Sequence, residues 1–179
     1  MFRKSFVAAT VAGAAAFAFI AGAAPVEAQL DDATIVAIFD AANTADIETG
    51  ELAMQRGQSD EVRNFGTMLA RDHKAVRQMG RDLARKLNVT PTPPADTSSA
   101  MAHARAMATL RSVPAAEFDQ AFLAHEVAFH QAVLDAVSST LMPAIRNDEL
   151  KALVQKVAPA FVGHRDAAAQ MARKLAVNE

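Results

Sequence analysis

The sequence predicts an all-α protein: an antiparallel bundle of four long helices, with an extra short helix in the crossover between the second and the third. Three observations predict it. Apolar residues recur at steps of three and four along four separate stretches. Tyr and Trp are absent while Ala and Met are plentiful, a composition that packs helices closely and suits sheets poorly. No long β-branched alternation and no repeat interrupts that pattern.

The helical part is preceded by an export pattern. Arg3 and Lys4 come before an uncharged run from Ser5 to Ala24, and Val26-Glu27-Ala28 fits a signal peptidase site. Residues 1–28 are expected to be a cleaved signal peptide, and residues 29–179 a single helical-bundle domain. A retained membrane anchor is the competing reading, and the Ala/Gly-rich run speaks against it. The chain has no cysteine, so lipid attachment at the cleavage site is excluded and stability must come from packing. Cleavage would leave 16 basic and 19 acidic residues, a formal charge of −3 against −2 for the whole chain. That balance argues against nucleic acid as a partner.

The first long helix should start after Asp31-Asp32, whose carboxylates suit a helix N-terminus, and run to about Arg56 with Gly57 as its stop. Ile35, Ile38, Phe39, Ala42, Ala45 and Leu52 form its stripe, with Glu48 inside it. Ser59-Asp60-Glu61 caps the second, which carries Val62, Phe65, Leu69, Val76, Gly80, Leu83 and Leu87. His73 fills the one gap in that series. Asn88 ends it, Pro91, Pro93 and Pro94 keep it from restarting, and the short turn at Gly57-Gln58 makes the pair a hairpin.

Thr97-Ser98-Ser99 caps a short helix through about Leu110, with His103 on its surface. The third long helix begins near Pro114 and ends between Ser138 and Leu141, before Pro143. Phe118, Phe122, Phe129 and Val133 mark its stripe; His125 sits within it, and Glu126 and His130 flank it. Asn147 caps the fourth, where Leu150, Val154, Val157, Phe161, Ala168, Met171 and Leu175 form a near-heptad series and His164 occupies the missing position. Pro159 is expected to kink this helix.

At about 1.5 Å rise per residue, His73 lies about 21 Å into its helix, His130 about 24 Å, His164 about 25 Å, and Glu48 about 12 Å from the end of its own. All four fall at mid-bundle depth, where bundle metal sites are built. His73, His130 and His164 with Glu48 or Glu126 are the candidate metal ligands, and Asp72, Asp119 and His125 the groups placed to orient ligands or cap helices. Imidazole and carboxylate suit zinc, iron, manganese or copper. The di-iron signature of Glu-x-x-His on two helices is missing, because Glu126 to His130 is one residue too long. No Cys or Ser stands beside a seam histidine as a nucleophile. The scattered methionines read as core filler.

Glu48 with Leu52-Ala53, Phe65 followed by Asp72-His73, Phe118-Asp119 leading to His130, and Pro159 followed by His164 resemble an exported bacterial family catalogued as domain of unknown function 4142. The resemblance covers about Asp32 to Leu175. It implies a ferritin-like bundle in an exported protein, periplasmic or outer-membrane-associated, and no established activity; no catalytic residues carry over. His73, His130 and His164 match the family's histidine pattern, whereas His103 and His125 do not.

The leading expectation is a periplasmic bundle that binds a transition metal ion for storage, sensing or stress protection, without enzymatic turnover. The alternative is a metal-free structural or interaction module of the envelope, in which the histidines satisfy one another and Glu48. The expected partners are an envelope component or a second copy of the chain, with no membrane span after cleavage. A redox or hydrolytic enzyme with an open coordination position is the third reading, with no reactive group beyond the candidate ligands to support it.

Overall fold

The computed structural model describes residues 30–178. The expected signal peptide at 1–28 lies outside them. Among the described residues every regular element is helical, and no helix is long and apolar enough to cross a membrane.

Helix α1 spans Asp32–Arg56 and starts where its chemistry dictates: the Asp31 carboxylate accepts the Thr34 amide at 2.7 Å. Gly57 ends it, but with φ −53°, so no left-handed turn requires the glycine. Room does, because a Cβ there would sit 2.7 Å from the Ala53 carbonyl oxygen. Helix α2 spans Asp60–Leu87, capped by Ser59 on the Val62 amide and closed by Asn88 in the left-handed region at φ 53°. The two helices meet backbone to backbone. A Cβ on Gly66 would lie 2.6 Å from the Gly50 carbonyl oxygen.

The segment after Asn88 runs back along α1. Thr92 donates its amide to Ala33 at one end of α1, and Arg56 at the other end donates to the carbonyls of Leu110, Arg111 and Val113. Within this crossover α3 covers Ser98–Ser112, two residues beyond the expected end. Asp96, not the Thr-Ser-Ser run, caps it, accepting the Ser98 amide at 2.8 Å.

Helix α4 spans Ala115–Ala136 and does not stop there. It widens into a π turn, Val137–Leu141, with the Met142 amide reaching the Val137 carbonyl, and then a single turn, α5, Met142–Ala144. Pro143 lacks an amide for the regular ladder, and the widened turn absorbs the mismatch. Helix α6 spans Asp148–Asn178 and runs through Pro159. Asn147 Oδ1 accepts the Glu149 and Leu150 amides at 2.9 and 3.0 Å.

Asp32 at the start of α1 accepts the amides of Arg146 and Asn147, so α6 starts beside the start of α1 and runs parallel to it. Asp119 at the start of α4 accepts the amides of Gln58 and Ser59, so α4 runs parallel to α2. α1 packs on α2, α4 on α6, α2 on α6 and α1 on α4. One apolar cluster, with Leu69, Phe118, Phe122 and Leu123, fills one end, and another, with Ile35, Val36, Leu150 and Val154, fills the other. Met107 and Met171 are buried filler, whereas Met54 and Met101 are exposed. Between these two clusters lies a buried polar layer, bordered by a third apolar cluster of Val76, Val157 and Phe161.

Candidate metal centre

Each long helix sends polar side chains into that middle layer. α1 supplies Asn43 and Asp46, α2 His73, α4 Glu126 and His130, and α6 His164; none is more than 6% exposed. The rings of His73 and His130 lie 5.6 Å apart between centroids, His73 and His164 5.1 Å, and His130 and His164 5.5 Å. Phe161 stands edge-on to His73 at 4.9 Å and walls the group on its apolar side.

The hydrogen bonds decide which nitrogen of each ring carries a proton. Asn43 donates its amide NH2 to the Phe39 carbonyl at 2.8 Å, so its oxygen faces His73 Nδ1 at 2.9 Å and that nitrogen must donate. His164 Nε2 faces the Asp72 carboxylate at 3.2 Å and donates there. His130 Nδ1 donates to the Glu126 backbone carbonyl at 3.0 Å. The remaining nitrogens are therefore bare lone pairs. Two of them, His73 Nε2 and His164 Nδ1, face each other at 3.2 Å with no proton to share, and His130 Nε2 has no partner. One nitrogen from each ring falls in a group whose members lie within 4.8 Å of one another.

The carboxylates sharpen the point. Asp46 lies 3.5 Å from His73 Nδ1 and 3.9 Å from His130 Nε2, and Glu126 lies 3.4 Å from His130 Nδ1. Both oxygens of Asp46 and both of Glu126 are buried without a hydrogen-bond partner. Burial, and then the facing Glu126 carboxyl, push the Asp46 carboxyl well above its ordinary range. Burial, and then His130 and His164, push His73 down to about 3; burial and His130 lower His164 as well. A proton between His73 and His164 is thus opposed by their surroundings. Unpartnered buried charges and lone pairs cost several kcal/mol, whereas a cation held by either group of three would satisfy the donors of that group. The donor set fits a transition metal ion, with the ring orientations fixed from behind as ligating histidines require. Asp46, Glu126 and His130 form a second group within 4.8 Å, and the two groups share His130. The geometry therefore suits one ion.

A family model described as Domain of unknown function (DUF4142) matches residues 19–171. The chain belongs to this family. Among solved structures it is similar to a DUF305 fragment from Deinococcus radiodurans, with TM-score 0.67 and 15% identity over 79% of this chain and 95% of that one. It is also similar to CopM in the Cu(II)-bound form, with TM-score 0.61 and 15% identity over 81% of this chain and 98% of that one. At such identity the likeness shows a shared fold. A search of curated proteins gives no significant match.

In this DUF4142 chain the three histidines expected to meet are brought together, and Glu126, buried on α4 and not on the flank of its stripe, forms a second group with Asp46 and His130. Glu48 does not. It is half exposed on α1, its carboxylate 2.8 Å from His103 Nε2 on α3. Two residues along a helix turn about 200°, so Asp46 faces inward where Glu48 faces out. His103, expected on the surface, is the partner of that pair. Asp119 serves the turn between α1 and α2 and belongs to neither ligand group. His125 is half-buried against Phe129, 5.9 Å between ring centroids, and belongs to neither ligand group. Asp72 stands behind His164. Asp46 and Asn43 were missed, although Phe39, Asn43, Asp46, Gly50 and Ala53 keep a 4-3-4-3 spacing that could have found them.

Proposed function

We propose that this protein is an exported, ferritin-like bundle that holds one transition metal ion at its centre through His73, His130, His164, Asp46 and Glu126. One observation carries the reading: three buried imidazoles, each with its far nitrogen committed to a protein oxygen, turn their bare nitrogens toward a common point beside two unpartnered carboxylates. Nitrogen and oxygen donors without sulfur favour a divalent ion such as copper(II), zinc, iron or manganese over copper(I). The Cu(II)-bound structural neighbour makes copper the first ion to test.

Histidines and carboxylates that are almost wholly enclosed give an organic substrate no room beside the ion. Such a centre suits holding an ion, in storage, sensing or stress protection, better than turnover. The Arg3-Lys4 leader and its cleavage pattern support export to the periplasm. The metal-free envelope module has the His73 to His164 contact in its favour, but it leaves both carboxylates and His130 Nε2 unpartnered.

The deciding experiment is elemental analysis of protein purified from the periplasm, and again after exposure of metal-free protein to an equimolar mixture of copper(II), zinc, iron(II) and manganese(II). About one ion per chain in the natural protein, lost in His130→Ala, is the expected result. Sub-stoichiometric metal in both preparations would leave the metal-free module standing.

A further inference from the structure

Four of the five ligand candidates have no path of their own to water: Asp46, His73, Glu126 and His130 are each at most 1% exposed. His164 is the exception at 6%, and its ring forms the wall of the centre. Its Nδ1 looks inward to His73 at 3.2 Å, and its Nε2 looks outward to Asp72, also at 3.2 Å. Asp72 in turn is 31% exposed. Its other oxygen is covered by Arg71, itself 72% exposed and 2.7 Å away. The chain from bulk water to the centre thus reads Arg71, Asp72, His164, His73.

We propose that Asp72 and His164 are the door through which an ion reaches the centre, and that Arg71 is its removable cover. The inference rests on the metal-centre reading and adds the route. An arriving hydrated cation exchanges with the Arg71 guanidinium on the Asp72 carboxylate, which is a favourable swap of one cation for another on the same anion. There it lies against the outer nitrogen of His164. The ring spans the gap between Asp72 and His73, so it must turn to let the ion pass, and its return restores the Asp72 contact. The opposite side is closed. Glu48 and His103 pair on the α1–α3 face, but the nearest centre residue on α1 is the fully enclosed Asp46.

The test is stopped-flow loading of the full metal-free protein with cobalt(II), followed by its visible absorption, together with release into a chelator. Arg71→Gln touches only the cover. It is expected to speed loading and release alike, about threefold or more at low salt, with the equilibrium constant unchanged within about twofold. Asp72→Asn is expected to slow loading. A residue that merely oriented His164 would leave loading alone and speed release. Glu48→Gln is expected to leave both rates as they are. Loading rates indifferent to Arg71→Gln and Asp72→Asn, or moved instead by Glu48→Gln, would overturn the door. A wild-type protein that takes up neither cobalt(II) nor copper(II) at equilibrium would overturn the centre itself, so the two failures are told apart by the end point and the rate.

Discussion

Asn43 and His73 are joined by a 2.9 Å hydrogen bond whose direction is fixed at both ends. The Asn43 NH2 is spent on the Phe39 carbonyl one turn back, so only the oxygen can face the ring, and the ring must answer with Nδ1–H. A side chain on α1 thereby sets the tautomer of a histidine on α2. Asn43→Leu keeps the volume and removes the acceptor, which frees the ring to turn and to hold its proton on either nitrogen. Metal affinity should fall about 10- to 100-fold, read by competition against a chelator of known affinity. An unchanged affinity would mean that Nε2 of His73 is not a ligand.

The two carboxyls should separate stability from binding. Asp46 and Glu126 are buried and unpartnered without an ion, so a neutral isostere relieves the metal-free protein. Asp46→Asn and Glu126→Gln are expected to raise its unfolding free energy by about 1–3 kcal/mol. The same variants should lose much of the stabilisation that saturating metal gives the wild type. Opposite signs with and without metal, measured by urea unfolding, are the expected pattern; destabilisation under both conditions would assign these groups to packing alone.

The buried histidines should make the metal-free protein sensitive to acid above the range in which ordinary carboxylates titrate. His73 is held down to about 3 from an unfolded value near 6.5, burial being the first cause. The unfolded chain therefore binds the proton that the folded chain refuses. The associated stability is intact above about pH 6.5 and drains as pH falls toward 3, at up to about 1.4 kcal/mol per pH unit for one proton. His164, also lowered, acts in the same direction. Asp46, raised, acts in the opposite one: its cost appears as pH rises and vanishes below its unfolded value of 3.8. In chelator, the change in urea midpoint from pH 7.5 to 5.0 should be more destabilising in Asp46→Asn, which removes the opposing titration, and less destabilising in His73→Gln than in the wild type.

What was legible follows from where the physics is local. Asp31, Ser59, Asn88 and Asn147 act on amides or carbonyls within a few residues, so their roles as helix ends could be read directly. The gaps at His73 and His164 stood out because Val62 to Gly80 and Leu150 to Met171 are regular on both sides. Helix α1 hid its inward face for a physical reason. Alanines at 37, 41, 42, 45 and 53 surround it, so no single side is marked as apolar, and the buried polar pair Asn43 and Asp46 removes contrast from the face that matters. The phase drawn through Ala42, Ala45 and Leu52 selected Glu48 instead. On α4, Phe129 and Val133 are only partly buried and pulled the stripe off Glu126. Pro143 announces a break, but whether the preceding turn ends or widens depends on what α5 must reach.

Two glycines test the packing that holds the layers in register. Gly66 is where α2 touches α1: a Cβ there would meet the Gly50 carbonyl at 2.6 Å and the Ala53 side chain at 2.8 Å, neither of which can swing aside. Gly66→Ala must push the hairpin apart, costing about 1–3 kcal/mol and shifting Asn43 and Asp46 relative to His73, so metal affinity should fall with stability. Gly163 is the contrast. It is exposed on α6, and a Cβ would meet nothing within 4 Å. Gly163→Ala should therefore gain about 0.5–1 kcal/mol from helix propensity and leave metal binding unchanged. Since His164 is its neighbour, a loss of affinity in Gly163→Ala would show that α6 must flex there for the ring to reach the ion.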